Sequence, residues 1–314
     1  MRILSPEEVG EALDYPSLVE TLRTTFREGV EQPPRHHHTV ASHAGTDGTL
    51  LLMPAWQVDR YLGVKVATVF PDNPDHGLPS VMGNYLLNDG KTGQPLALVA
   101  GQPLTNRRTA AASALAADYL AVKDASRLLM VGTGAMAPEL VRAHASVRPI
   151  REVRVWGRTP ASGRQLAERL TREGFDAKPE DSIKAGMEWA QVISCATMSI
   201  EPLVLGAWLQ PGHHVDLVGA FKPTMRETDD TAVERAELFC DTFDGALSEG
   251  GDLVQPINDN VISRNDVLAD LFMLTREQHP GRSSDKQITL FKSTGTALED
   301  LAAAILAYEK TAKD

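Results

Sequence analysis

The run Leu128-Leu-Met-Val-Gly-Thr-Gly-Ala-Met-Ala137 constrains this chain more than any other stretch. A short apolar segment, Leu128–Val131, breaks into Gly132-x-Gly134-x-x-Ala137 and opens onto a helical pattern through His144. This reads as a buried parallel strand, a tight turn and a helix. The first glycine permits the turn, the second lets backbone approach a pyrophosphate, and the helix N-terminus stabilises the anion. Alone the motif is weak, because glycine-rich turns are common. A second strand, Glu152-Val-Arg-Val-Trp156, follows at the spacing of a βαβ unit, and together they point to dinucleotide binding. Gly132, Gly134, Ala135 and Met136 are the expected contacts at the turn.

The tip of the second strand bears on which dinucleotide is bound. NAD-specific folds usually place a carboxylate there for the ribose hydroxyls, and NADP-specific folds an arginine. This chain reads Trp156-Gly157-Arg158-Thr159, with no carboxylate. A planar guanidinium and a hydroxyl suit a 2′-phosphate. NADP(H) is therefore expected ahead of NAD(H), held by Arg158 and Thr159. A solvated loop arginine would look the same in sequence.

Composition limits the remaining choices. A chain of 314 residues exceeds one ordinary core, so two domains are expected. A net charge of −11 argues against a nucleic-acid or anionic-membrane partner. Cys195 and Cys240 make no disulfide framework, and Cys195 in Val192-Ile-Ser-Cys-Ala196 reads as a small core hydrophobe. No secretory leader pattern and no 18-residue apolar stretch is visible, so a cytoplasmic protein is expected.

Before residue 120 the pattern is mixed α+β. Ser5-Pro-Glu-Glu8 is a capped helix start, and a second helix is expected over 16–28. Strands are expected over 49–54, 62–69 and 83–88, with 95–99 closing a hairpin across Asp89-Gly-Lys-Thr-Gly93. An alanine-rich helix is expected over 109–121. Beyond Trp156 a helix is expected over 161–173, then strands over 192–196, 215–218 and 238–240. An amphipathic helix is expected over 295–310.

The chemical candidates lie in the first part. Lys65 sits in Gly63-Val-Lys-Val-Ala-Thr-Val-Phe70 among apolar neighbours. Burial would lower its pKa and make it a proton donor near neutral pH. Strand alternation is equally compatible with an outward-facing lysine. Arg107-Arg108-Thr109 reads as the opening of the alanine-rich helix, where two cations oppose the macrodipole and an anionic ligand would explain them. Arg35, after Pro33-Pro34, is either a second carboxylate contact or a solvated loop residue. His36-His-His38 alternates across an extended segment with no carboxylate or cysteine spaced to complete a site, so no metal is expected.

Gly63-Val-Lys-Val, Gly77-Leu-Pro-Ser-Val81, Thr92-Gly-Gln-Pro-Leu-Ala97, Leu104-Thr-Asn-Arg-Arg-Thr-Ala-Ala111 and Phe291-Lys-Ser-Thr-Gly295 occur in this order around the glycine motif. Their combination resembles the ornithine cyclodeaminase/mu-crystallin family over nearly the whole chain. The resemblance implies an α/β fold in which a Rossmann NAD(P)-binding domain, 121–292, is inserted into an α+β substrate and dimerisation domain, 1–120 plus 293–314. It implies a homodimer, with Lys65 as acid–base residue and Arg108, helped by Arg35, on the substrate carboxylate. Ser80, where the family commonly has threonine, would lie near the nicotinamide, and Thr197, Val218 and Gly219 would contact the cofactor.

One departure bears on the reaction. Ornithine-deaminating members resemble Gly-Gly-Asp-x-Pro-Gly-Lys-x-Glu after the strand corresponding to 215–218, and the aspartate assists at the imine carbon. This chain reads Gly219-Ala-Phe-Lys-Pro-Thr-Met-Arg-Glu227, with Phe221 in the aspartate's place. Phenylalanine neither accepts a proton nor orients water, and simple imine reduction needs no such step. The segment is similar to bacterial ketimine reductases. The resemblance thus implies NAD(P)H-dependent reduction of a cyclic ketimine carboxylate, Δ1-pyrroline-2-carboxylate or Δ1-piperideine-2-carboxylate, to L-proline or L-pipecolate. The rivals are a cyclodeaminase or hydroxyproline dehydratase with recycled NAD, an alanine-type dehydrogenase, and a non-catalytic crystallin-like binding protein.

If Arg158 holds the 2′-phosphate, Arg158→Ala should raise KM for NADPH about tenfold or more and leave NADH nearly untouched. Equal losses with both cofactors would remove the assignment.

Overall fold

The computed structural model describes residues 1–43 and 45–312. They divide into two compact units, Met1–Arg108 with Thr296–Asp314, and Thr109–Gly295.

The first unit opens with β1 (Arg2–Leu4), α1 (Pro6–Ala12) and α2 (Tyr15–Glu28). Ser5 and Glu8 close the expected capping box, with Pro6 in the first turn. Asp14 caps α2 through Ser17 N. Strands β2 (His36–Val40), β3 (Gly48–Gln57), β4 (Tyr61–Val69), β5 (Val81–Asp89) and β6 (Pro95–Ala100) follow. The sheet order is β1-β6-β5-β4-β3-β2. All neighbours are antiparallel except β1 and β6. The β5–β6 turn is set locally. Asp89 Oδ1 accepts from Lys91 N at 3.0 Å and Thr92 N at 2.8 Å, and Gly93 supplies φ +73°. The last helix of the chain, α11 (Ala297–Thr311), packs on β3, β4, β5 and α2.

The alanine-rich helix α3 spans Gly101–Leu120 and so begins eight residues before the expected Thr109. The polar run that looks like a loop satisfies itself inside the helix. Thr105 Oγ1 donates to Gly101 O at 2.7 Å, and Gln102 Nε2 donates to Asn106 Oδ1 at 3.0 Å. Arg107 and Arg108 therefore lie in the helix body, and the argument from a helix start does not apply to them. The division between the units falls inside this helix at 108/109, and again at 295/296, rather than at 120/121 and 292/293. Sequence signals mark where helices end, whereas the division follows where packing partners change.

The second unit is a Rossmann-type parallel sheet, with order β13-β12-β14-β11-β10-β7-β8-β9. Its first half holds β7 (Arg127–Val131), α4 (Met136–Val147), β8 (Glu152–Trp156), α5 (Pro160–Arg172), β9 (Asp176–Pro179), α6 (Ile183–Trp189) and β10 (Val192–Cys195). The second half holds β11 (His214–Leu217), α7 (Asp230–Arg235), β12 (Glu237–Cys240), α8 (Phe243–Glu249), α9 (Gly251–Asn258), β13 (Val267–Asp270), α10 (Leu271–Thr275) and β14 (Thr289–Lys292). Every ladder is parallel. Chain direction across the sheet reverses between β7 and β10, the switch point where such folds bind ligands at the strand C-termini. The buried core there includes Leu129, Val131, Ile193, Val215, Leu217 and Leu290, and Cys195 packs among them as expected. No helix among the described residues is long and apolar enough to cross a membrane.

Candidate active site

In the first unit, strand alternation resolves the question about Lys65. Gly63, Lys65 and Ala67 are buried on the face of β4 that meets α11, while Leu62 and Val66 point outward. Lys65 pairs across the sheet with Met53 on β3 and Tyr85 on β5. It is 6% exposed.

Its partner was not visible in the sequence. Lys65 Nζ donates to Asp300 of α11, 3.2 Å from Oδ1 and 3.4 Å from Oδ2. Arg108 Nε donates to the same Asp300 Oδ1 at 2.9 Å, and its Nη1 donates to Glu299 Oε2 at 2.7 Å. Both carboxylates are fully buried. Gln32 fixes the first turn of α11, with its Oε1 accepting from Leu298 N at 3.0 Å. Asp300 and Glu299 were hidden because acidic residues in a first helical turn are already explained by the macrodipole. The anion near Arg108 is thus this chain's own carboxylate pair. Arg107 instead stacks its guanidinium over the Tyr15 ring, 5.0 Å from the centroid.

The electrostatics follow from burial and pairing. Burial lowers Lys65 to about 8, against the upward pull of Asp300, while the charges of Arg108 and Arg35 lower it further. Burial alone would raise Asp300, but the charges and hydrogen bonds of Arg108 and Lys65 hold it below its ordinary value. Arg108 stays charged, since Asp300 and Glu299 outweigh its desolvation. A lysine poised near 8 carries its proton at neutral pH and gives it up easily. Tyr85, fully buried, directs its hydroxyl over Gly63, where a Cβ would lie 2.3 Å from the oxygen, so a larger residue there would have to displace the Tyr85 ring. Ser80 also belongs to this unit, and its carbonyl accepts from Phe70 N at 2.8 Å. The three histidines lie exposed on β2.

The remaining sequence candidates all fall in the second unit. Gly132 has φ +116°, and a Cβ on it would meet Ala196 O at 2.6 Å. A Cβ on Gly134 would meet nothing within 4 Å, so this turn faces open space. Ala135 is the N-cap of α4 and offers no side-chain cap, which leaves the N–H groups from Met136 onward without a capping side chain. That is the cradle a pyrophosphate requires. Arg158 and Thr159 are exposed at the end of β8, and Thr159, N-cap of α5, makes no capping hydrogen bond. Thr197 follows β10, and Val218 with Gly219 follows β11, all on the β10–β11 side of the switch point.

A parallel sheet with an uncapped glycine turn at its switch point in the second unit, and a buried Lys–Asp–Arg–Glu cluster in the first, describe a protein of the dinucleotide-dependent class. The model of the ornithine cyclodeaminase/mu-crystallin family matches residues 2–314, and the chain belongs to that family. A Δ1-pyrroline-2-carboxylate reductase of Paracoccus denitrificans is 39% identical over 292 residues, 90% of this chain and 92% of that protein. The solved Δ1-pyrroline-2-carboxylate reductase of Thermococcus litoralis, in complex with NADH and L-proline, is 34% identical with a TM-score of 0.94, covering 100% of this chain and 98% of that one. An archaeal alanine dehydrogenase dimer with bound NAD is 30% identical with a TM-score of 0.92, covering 100% and 97%.

Asp300→Asn should lower the pH at which Lys65 titrates, because the carboxylate that raises it is gone. It should also cost about 3–5 kcal/mol of stability in urea unfolding, since two buried cations lose a partner. Unchanged unfolding, with amine-reagent labelling of Lys65 that rises at the same pH as in the wild type, would show that Asp300 does not govern the cluster.

Proposed function

We propose that this chain reduces a cyclic ketimine carboxylate, Δ1-pyrroline-2-carboxylate or Δ1-piperideine-2-carboxylate, to L-proline or L-pipecolate. The observation that favours reduction over cyclodeamination is Phe221. It stands on the turn after β11, 39% exposed, with Lys222 Nζ 6.0 Å from its ring centroid. The side chain at this position carries no carboxylate to activate water at an imine carbon. The names of the Paracoccus and Thermococcus proteins support the same reading.

Arg108 pairs with the substrate carboxylate in this reading. Two of its N–H groups are engaged by Asp300 and Glu299, and the guanidinium has five. Arg35 adds positive charge in this reading, and the lowering of Lys65 by its charge supports that role. Lys65 supplies the proton to the imine nitrogen and makes C2 electrophilic, with Asp300 holding its ammonium in place. A reduced nicotinamide supplies the hydride that C2 accepts, leaving a secondary amine and an oxidised cofactor. Its pyrophosphate would lie on the Gly132–Met136 turn, with Thr197, Val218 and Gly219 as further cofactor contacts, and the family resemblance gives Ser80 a role near the nicotinamide. NADPH is preferred to NADH in this proposal, because Arg158 and Thr159 stand at the ribose end without a carboxylate.

The outward face of the first unit's sheet presents Leu62, Val66 and Met82, all exposed. A contiguous apolar face of this kind supports a homodimer. Sedimentation as a 34.1 kDa monomer would remove that element.

The purified protein should consume NADPH with Δ1-pyrroline-2-carboxylate, followed by cofactor absorbance, and should release no ammonia from L-ornithine supplied with NAD. Lys65→Met should lower kcat roughly 10²-fold or more while leaving cofactor binding intact. Ammonia and proline formed from ornithine faster than the imine is reduced would overturn the reductase reading in favour of a lyase.

A further inference from the structure

The turns after β10 and β11 touch each other directly. A Cβ on Gly219 would lie 1.9 Å from Thr197 O and 2.4 Å from Thr197 N, so only glycine fits. Under this contact lies Glu227, which is fully buried. Its Oε1 accepts from Thr197 N at 2.6 Å and from Thr197 Oγ1 at 2.9 Å, and its Oε2 accepts from Gly219 N at 2.7 Å. One carboxylate therefore holds three donors on two separate turns.

Glu227 is itself tightly placed. Its carbonyl accepts from Leu203 N and Val204 N, both at 2.9 Å, tying the rest of the post-β10 loop to the post-β11 loop. Its nitrogen donates to Asp252 Oδ1 at 2.7 Å. Asp252 pairs through Oδ2 with Lys292 Nζ at 3.1 Å, and Lys292 also donates to Leu217 O at 3.3 Å. Asp252 and Lys292 are fully buried, so two acidic side chains and one lysine share the interior behind the turns.

Three converging donors call for a group that only accepts. Ionised glutamate meets that need, whereas glutamine would turn an amide N–H toward one of the donors. The pairing also sets the polarity of Thr197. Its hydroxyl spends its one proton on Glu227 and one lone pair on Ser199 N at 3.3 Å, so toward a ligand it offers its second lone pair and suits a donor such as a carboxamide NH2.

We infer that Glu227 is a positioning residue of the dinucleotide site: its ionised carboxylate clamps the post-β10 and post-β11 turns together, aims the Thr197 lone pair, and releases the clamp when protonated. This inference deepens the dinucleotide reading above and rests on it for the ligand. The groups facing Glu227 are Lys292 from β14, Asp252 from α9 and Cys195 from β10. Burial raises Glu227 to about 7, with Lys292 opposing and Asp252 adding to the shift. Ionised above that value, Glu227 holds both turns; protonated below it, one acceptor becomes a donor and an anchor is lost.

Two readouts test this without turnover. The first is hydrogen exchange of the Thr197 and Gly219 amides in the ligand-free protein, corrected for the intrinsic pH dependence. Their protection should fall between about pH 8 and pH 6 in the wild type, and should be low and independent of pH in Glu227→Gln. The second is NADH binding by fluorescence. The wild-type Kd should rise severalfold over the same interval, and Glu227→Gln should raise it about tenfold at pH 8 and remove its pH dependence. Glu227→Asp keeps the charge on a shorter arm, so it should bind more weakly but retain the pH dependence. Wild-type protection and affinity that are flat across the interval would overturn the inference, as would a folded Glu227→Gln that matches the wild type. If Glu227→Gln does not fold, the wild-type pH series and Glu227→Asp still decide. A wild type that binds neither NADH nor NADPH would count against the dinucleotide reading, while exchange of the two amides would still judge the clamp.

Discussion

The chemistry of the first unit depends on one buried ion cluster, in which Asp300 receives hydrogen bonds from Lys65 and Arg108 and Glu299 receives a second from Arg108. Four charges at one site would be prohibitive unpaired, and pairing offsets their desolvation only when the geometry is close. The elements that carry them are accordingly well fixed. Lys65 is held by antiparallel neighbours on both sides, Arg108 lies in the body of a twenty-residue helix, and the two carboxylates occupy a helix turn capped by Gln32. In the proposed reaction the cluster would also serve the chemistry, since an ammonium held near neutrality beside a fixed guanidinium suits an anionic, basic imine.

The second unit solves a different problem, the binding of a polyanionic cofactor by a chain of net negative charge. The charge balance of the whole chain does not help, so the favourable field must be local. It comes from backbone: an open glycine turn and an uncapped helix start. Glu227 sits in the same region, with its carboxylate turned inward on the donors of Thr197 and Gly219 and opposed in charge by the buried Lys292.

Family membership narrows the chemistry without choosing it. The same fold, at comparable likeness, carries a pyrroline-carboxylate reductase and an alanine dehydrogenase. Function therefore has to be argued from side chains, and Phe221 and Arg158 are the two that distinguish this chain's reading. Both stand on turns after strands, where a substitution changes the ligand environment at little cost to the core.

Local patterns were enough to read the glycine turn, strand β8, the β5–β6 hairpin and the capped helix α1, because each depends on residues only a few positions apart. Lys65 and Gly132 are legible as candidates for the same reason, through their immediate neighbours, whereas the local case for Arg108 as a helix start fails and only the family resemblance singles it out. The start of α3 was misread because its polar residues bond within the helix and imitate a loop. Asp300 lies 235 residues from Lys65 and 192 from Arg108, and Glu227 lies 30 from Thr197. Nothing local separates these two from ordinary surface acids. Only the tertiary fold decides that they are buried, which cations or amides they meet, and thus which groups they tune, because desolvation and ion pairing depend on distances in space that sequence spacing does not specify.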